Sequence, residues 1–269
     1  MRFDMCYNLR MKVAIMGAGA YGTALGGILA GKGYDIDYYD PKVYKEPLVD
    51  VVEGASFVVL AAPSFAAPYL LPHLPKKTPL VVATKGILDT DAFDKFADVM
   101  AVSGPGFADD IKAHKRTILT ATDPRVIEMF STDYLSFDFT DDFRGVLFCG
   151  ALKNVYAILA GLSDFEAKTD EWEQFIDETC NEMKAIFVAN GVNPDTVNLS
   201  CGVGDLRLTC NYPSRNYEFG RILKKNPNAQ PEKTVEGLTA LGKIKRGEII
   251  VPESATKLKS LIEMSKTWN

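Results

Sequence analysis

Lys12-Val-Ala-Ile-Met-Gly-Ala-Gly-Ala-Tyr-Gly22 is a short apolar strand that runs straight into a glycine turn. Thr23-Ala-Leu-Gly-Gly-Ile-Leu-Ala30 continues it as an apolar helix, which Gly31 to Gly33 stop. Tyr34-Asp-Ile-Asp-Tyr-Tyr39 then alternates like a second strand and ends on Asp40, with Pro41 behind it. Strand, glycine turn, helix, strand and terminal acid make a complete β-α-β unit. Each glycine has a mechanical reason. Gly17 permits the tight turn, Gly19 lets backbone approach a pyrophosphate, and Gly22 lets the helix pack on the strand. The helix N-terminus offers free N–H groups to that anion. Asp40 lies eighteen residues beyond Gly22. A carboxylate there binds the two ribose hydroxyls and repels a 2′-phosphate, which favours NAD over NADP. The competing reading is a purely structural glycine turn in another α/β protein.

The pattern continues outward. Ala55–Leu60, Leu80–Ala83, Asp98–Val102, Thr117–Ala121 and Leu135–Thr140 read as strands. Ser64–Leu74 and Pro124–Phe130 read as helices between them. Strand ends rich in Gly, Pro, Ser and Lys (Ala61-Ala-Pro63, Thr84-Lys-Gly86, Ser103-Gly-Pro-Gly-Phe-Ala108) are where open parallel sheets bind ligands. Beyond Asp142 the strand signal fades into helices over Glu171–Ala189, Asn216–Lys225, Thr234–Lys245 and Ser254–Lys266. We therefore expect an α/β fold in two parts. Residues 11–141 form a Rossmann-type doubly wound sheet that binds NAD, and residues 142–269 form an all-helical substrate domain.

Composition narrows the chemistry. The 269 residues carry a net charge of −5 with no basic block, which argues against a nucleic-acid partner. No run of eighteen uninterrupted apolar residues occurs, so no membrane span is expected. The first ten residues lack an apolar core and read as a short extension before Met11 rather than a signal peptide. Five scattered cysteines without Cys-x-x-Cys spacing suit free thiols in a reducing cytoplasm. His73 and His114 are the two histidines and stand apart from other ligand types, so no metal site is expected. Acid–base chemistry falls to Lys, Asp or Glu.

The most apolar window, Gly145 to Ser163, has Lys153 and Asn154 in its middle. A buried ammonium is costly unless it is paired or faces a cavity. Either Lys153 snorkels to solvent from a core helix, or it stands in the wall of a buried site. Lys85 follows a strand and precedes Gly86, as a surface-loop lysine would. Asp205, in Gly202-Val-Gly-Asp205, suits a helix N-cap. Arg215-Asn216 opens a helix and could hold a phosphate or be a solvated end.

Five blocks in this order resemble the NAD-dependent sn-glycerol-3-phosphate dehydrogenase family. They are Gly17-Ala-Gly-Ala-Tyr-Gly-Thr-Ala-Leu25, Ala83-Thr-Lys-Gly86, Ser103-Gly-Pro-Gly-Phe-Ala108, Gly150-Ala-Leu-Lys-Asn-Val155, and Gly202-Val-Gly-Asp-Leu-Arg-Leu-Thr-Cys210 with Arg215-Asn216 behind it. Val235-Glu-Gly237 resembles a sixth. The resemblance implies a helical domain similar to the C-terminal part of 6-phosphogluconate dehydrogenase. It also implies reversible hydride transfer between NADH and dihydroxyacetone phosphate. Lys153 would then be the general acid/base, with Asp205 orienting it and Lys85 completing the catalytic set. Lys85, Asn154, Thr209, Arg215 and Asn216 would hold the phosphorylated substrate. Gly17, Gly19, Ala20, Tyr21, Gly22, Asp40, Lys85, Ala108, Arg215 and Glu236 would contact the cofactor, and a homodimer is expected. The chain departs from the family pattern in a shortened stretch between Asp40 and Phe57, in the loop Leu162–Trp172, and in Tyr212-Pro-Ser before Arg215. Those departures keep two rivals in view: a dehydrogenase of another phosphorylated or phosphonylated ketone, and a non-catalytic NAD-responsive protein.

Overall fold

A computed structural model describes residues 11–86 and 89–268. The expected N-terminal extension, with Cys6, lies outside the described residues. Strand β1 (Lys12–Met16) sits between β2 (Asp35–Tyr39) and β3 (Phe57–Leu60), and helix α1 (Ala20–Gly31) links β1 to β2. The short α2 (Leu48–Val52) returns the chain from β2 to β3. Further strands β4 (Leu80–Val82), β5 (Val99–Ser103), β6 (Thr117–Ala121) and β7 (Leu135–Phe139) complete a seven-stranded sheet of order β2-β1-β3-β4-β5-β6-β7. Strands β1 to β5 are parallel. β6 runs antiparallel to β5, and β7 is parallel to β6. The chain leaves β1 in one direction to β2 and returns past it to β3. The switch point therefore lies at the C-terminal ends of β1 and β3, where such sheets open a crevice for ligands.

Alternation along β1 shows how the sheet is covered. Val13 and Ile15 face one core with Leu25, Leu29 and Phe130, while Ala14 and Met16 face the other. Helices α1 and α5 (Pro124–Phe130) cover the first face. The second core runs without a break into the helical half. The helix expected over Ser64–Leu74 is broken instead. Only α3 (Ala67–Leu70) is α-helical there, flanked by 3-10 turns at Ser64–Ala66 and Leu71–His73. Pro68 and Pro72 remove the N–H donors that a continuous helix would use. The short α4 (Ala108–Lys112) follows β5.

Helix α6 (Phe143–Ser163) is the axis of the helical half. Asp142 caps it by accepting from Gly145 N at 2.9 Å, and Asp164 ends it in the left-handed region at φ 59°. By length and composition this helix could cross a membrane, yet 94% of its apolar window is buried inside the protein. Around it pack α7 (Asp170–Ala189), α8 (Asp205–Thr209), α9 (Arg215–Lys225), α10 (Glu236–Lys245) and α11 (Thr256–Met264). The N-terminus of α11 is capped from a distance. Glu182 of α7 accepts from Lys257 N at 2.7 Å and Leu258 N at 3.2 Å, and Tyr156 Oη donates to it at 2.9 Å.

Helices α6 and α9 touch backbone to backbone. A Cβ at Gly220 would lie 2.1 Å from Ile158 O, and one at Gly161 would lie 2.0 Å from Tyr217 O. Gly220→Ala is therefore expected to lower stability by about 1–3 kcal/mol in urea denaturation, because α9 must lift off α6. Gly27→Ala on α1, where a Cβ meets nothing within 4 Å, is the control and should gain up to about 1 kcal/mol.

Candidate active site

Lys153 lies midway along α6 and is 3% exposed. It does not snorkel. Its Nζ stands 2.5 Å from Asp205 Oδ1 and donates to Thr209 Oγ1 at 3.0 Å. The other Asp205 oxygen, Oδ2, is 3.0 Å from Lys85 Nζ, which also donates to Gly104 O at 2.9 Å. Thr209 Oγ1 in turn donates to Asp205 Oδ1 at 3.3 Å. Lys85 is thus a half-buried member of this cluster and not a free surface lysine. The N-cap reading of Asp205 does not hold either. Gly204 occupies the cap position, Asp205 is the first residue of α8, and its carboxylate joins two ammonium groups.

Local anchors fix Asp205 there. A wide π-type turn, Ser200–Gly204, precedes α8 and is tied to the sheet. Ser200 N donates to Asp138 Oδ2 at 2.9 Å, and Cys201 N donates to Thr120 Oγ1 at 2.9 Å. Gly202 fits because a Cβ would lie 2.2 Å from Val197 O. A helical residue and a sheet-end lysine therefore meet on one carboxylate.

The electrostatics divide the two lysines. Burial pulls the Lys153 ammonium down to about 7; Asp205 pulls it back up and Lys85 presses it further down. Burial also works against the charge on Lys85, but Asp205 and Tyr21 outweigh it and its pKa is raised. The cluster holds one fixed cation and one amine that exchanges its proton near neutrality, the range that suits general acid–base work.

The remaining expected residues fall into three groups. Asn154 and Asn216 form a chain in which Asn216 Nδ2 donates to Asn154 Oδ1 at 2.9 Å and Gly237 N donates to Asn216 Oδ1 at 2.9 Å. This chain ties α6, α9 and α10 together. Arg215 is the exposed first residue of α9 and acts electrostatically on Glu236. Glu236, the first residue of α10, reaches across to the sheet. It accepts from Ser64 N at 3.3 Å and Ser64 Oγ at 2.5 Å. Burial pushes its carboxyl up, opposed by Ser64, Arg215 and Lys243. Ser64 was not singled out from the sequence, although Pro63-Ser64 at a strand end was a usable signal.

The glycine loop forms the third group. Gly17 has φ 110°, and a Cβ there would lie 2.8 Å from Ala62 Cα. A Cβ on Gly22 would lie 2.0 Å from Gly17 O, whereas Gly19 faces open space. Gly19 caps α1 without a side-chain hydrogen bond, so the first-turn N–H groups around Ala20, Tyr21 and Gly22 are bare. Asp40 accepts from Ala18 N at 3.1 Å and so holds its carboxylate beside the loop. Ala108 opens α4 beside the strand end of β5. This cradle and bare helix end fit the pyrophosphate of a dinucleotide.

Among the described residues, two buried hydroxyls near Lys85 have no hydrogen-bond partner: Tyr21 Oη and Ser103 Oγ. Neither was legible as an unpaired group in the sequence. Two cavities, of about 210 and 380 Å³, lie elsewhere in the helical half and contain none of Lys85, Lys153 and Asp205.

Residues 142–266 match the family described as NAD-dependent glycerol-3-phosphate dehydrogenase C-terminus. The chain is 32% identical to a glycerol-3-phosphate dehydrogenase [NAD(P)+] of Leptospira biflexa, over 88% of this chain and 85% of that protein. It is 33% identical to the enzyme of that name in Citrifermentans bemidjiense, over 78% and 77% of the two chains. The crystal structure of glycerol-3-phosphate dehydrogenase from Coxiella burnetii superposes with a TM-score of 0.80 at 25% identity, covering 94% of this chain and 95% of that one. With its nucleotide-type sheet and its helical half, this chain belongs to the NAD-dependent glycerol-3-phosphate dehydrogenase family.

Proposed function

We propose that this protein interconverts dihydroxyacetone phosphate and sn-glycerol 3-phosphate with NAD(H), using Lys153 as general acid/base. The observation that carries the reading is the buried Lys153 ammonium, paired with Asp205 and poised near neutrality at the seam between sheet and helices. In this reading residues 11–141 bind the nucleotide and 142–269 bind substrate.

When bound, the dinucleotide supplies the hydride for ketone reduction or accepts it in the reverse direction. The chain's own residues do the rest. As the ketone is reduced, negative charge grows on the C2 oxygen, and Lys153 Nζ donates a proton to it. The ketone, the reduced cofactor and one proton become the alcohol and the oxidised cofactor. In the reverse direction neutral Lys153 takes that proton. Asp205 fixes the direction of the Nζ–H bond, and Lys85 remains cationic and stabilises the oxyanion. Thr209, Arg215 and Asn216 hold the phosphate end, and Asn154 holds another polar group of the substrate. Gly17, Gly19, Ala20, Tyr21 and Gly22 cradle the pyrophosphate through backbone N–H groups. Asp40 faces the ribose and disfavours a 2′-phosphate, so NAD is the preferred form. Ala108, Glu236 and Arg215 line the cofactor at the domain seam. A cytoplasmic homodimer completes the reading; Cys149, Cys180, Cys201 and Cys210 are free thiols, as a reducing compartment would keep them.

The test is oxidation of NADH by dihydroxyacetone phosphate. Turnover with NADH exceeding that with NADPH is expected; no turnover with either overturns the reading. A second reading, another phosphorylated or phosphonylated ketone, is favoured by the loop after α6. Trp172 Nε1 donates to Cys210 O at 2.9 Å and Tyr217 Oη donates to Phe165 O at 2.8 Å, so this loop is pinned against the segments that carry Thr209 and Arg215. A panel of ketone phosphates and phosphonates separates the two.

A further inference from the structure

We infer that the hydroxyl of Tyr21 is a specificity group for the substrate, binding the free hydroxymethyl end of a three-carbon ketone phosphate. This rests on the reaction proposed above.

Tyr21 is the second residue of α1, within the glycine loop, but its side chain turns toward the catalytic cluster. Lys85 Nζ lies 5.4 Å from the centre of its ring. Its Oη is buried and makes no hydrogen bond among the described residues. Leaving a buried hydroxyl unpaired costs about 1–3 kcal/mol, so a partner is missing from this corner. Burial pushes the phenol pKa up, Lys85 pulls it down and Asp205 pushes it up, with a raised value as the result. Tyr21 is therefore a neutral donor and acceptor at working pH.

The order of groups across the seam identifies the partner. Arg215 and Asn216 begin α9, and Thr209 at the end of α8 touches Lys153. Asp205 joins Lys153 to Lys85, and Lys85 lies against Tyr21. A three-carbon substrate with its phosphate at α9 and its C2 oxygen at Lys153 directs its remaining end toward Lys85 and Tyr21. The remaining polar group of dihydroxyacetone phosphate is a hydroxyl, which both donates and accepts, as the phenol does. A site built to bind a substrate hydroxyl rejects the analogue that lacks it, because the site's own polar group is then left unpaired.

The experiment compares dihydroxyacetone phosphate with hydroxyacetone phosphate, in which hydrogen replaces the terminal hydroxyl, for the wild-type protein and Tyr21→Phe. The phenylalanine keeps the ring beside Lys85, and a melting temperature no lower than that of the wild type confirms an intact fold. The wild type should prefer dihydroxyacetone phosphate by about tenfold or more in kcat/KM. Tyr21→Phe should reduce that preference to about threefold or less, with the loss confined to dihydroxyacetone phosphate and with NADH affinity unchanged. An equal fall for both ketones would make Tyr21 merely structural, and weakened NADH binding would assign the hydroxyl to the cofactor. Either result, or an unchanged preference, overturns the inference. Absence of wild-type turnover on dihydroxyacetone phosphate would instead remove the underlying reaction, and this inference with it.

Discussion

Lys153→Met is expected to lower kcat for ketone reduction by about 10²–10⁴-fold and to leave the folded protein as stable as before or more so. The rate falls because no other described group is held at this position with a proton to give near neutrality. Lys85 has its pKa raised and donates to Gly104 O and Asp205, so it cannot readily replace the lost acid. Stability survives because methionine fills a similar volume without the buried ammonium charge, and Asp205 keeps Lys85 as its partner at 3.0 Å. The sign can be followed with pH. A lysine whose folded pKa is depressed binds fewer protons folded than unfolded, so its penalty is full below about 7 and fades as pH rises toward 10.5. The stability gain of Lys153→Met should therefore be largest at or below neutral pH and vanish in strong alkali. Thermal melts across that range, alongside steady-state rates, check both halves. A variant that is inactive because it is unfolded would contradict the claim.

Asp205→Asn should have the opposite character: loss of activity together with loss of stability. The carboxylate is 1% exposed and stands between two ammonium groups, at 2.5 Å from Lys153 and 3.0 Å from Lys85. An amide leaves the Lys85 ammonium buried without its counter-charge and no longer offsets its repulsion of a charge on Lys153. Removing one partner of a buried ionic group typically costs about 3–5 kcal/mol. Without Asp205 the largest influence raising the Lys153 pKa is gone, so the amine loses its proton at neutral pH and the acid function goes with it. Raising the pH neutralises the lysines and should narrow the stability gap to wild type. Chemical denaturation at neutral and alkaline pH measures this; a gap that widens with pH would refute the proposed charge balance.

The pair of variants also shows what the chain alone could disclose. The first β-α-β unit was readable because each step is local: β1 is a short apolar run, Gly17 needs positive φ, and Asp40 follows the next strand. Lys153 was conspicuous because a charge in an apolar run is costly wherever it folds. Its partners were not locally visible. Lys85 and Asp205 are 120 residues apart, and Lys153 and Thr209 are 56 apart, so their meeting is a property of packing. Local sequence made Asp205 resemble an N-cap and Lys85 a surface lysine; the resemblance among motifs brought them into one set. The reversal of β6 could not be read from alternation, which carries no strand direction. Ser64–Leu74 misled because its apolar content suits a helix while Pro68 and Pro72 prevent one. The unpaired hydroxyls of Tyr21 and Ser103 depend on atoms that come together only on folding.

The pH dependence of kcat/KM for reduction of dihydroxyacetone phosphate by NADH tests most directly whether Lys153 is the proton donor. Reduction needs the protonated amine, so the profile should be level below about 7 and fall about tenfold per pH unit above it. Oxidation of sn-glycerol 3-phosphate needs the neutral amine and should rise through the same inflection. Lys85→Met should move that inflection upward, because the second ammonium that presses it down has been removed. A wild-type reduction profile that stays flat from about pH 6 to 9 would contradict the assignment of Lys153 as the acid.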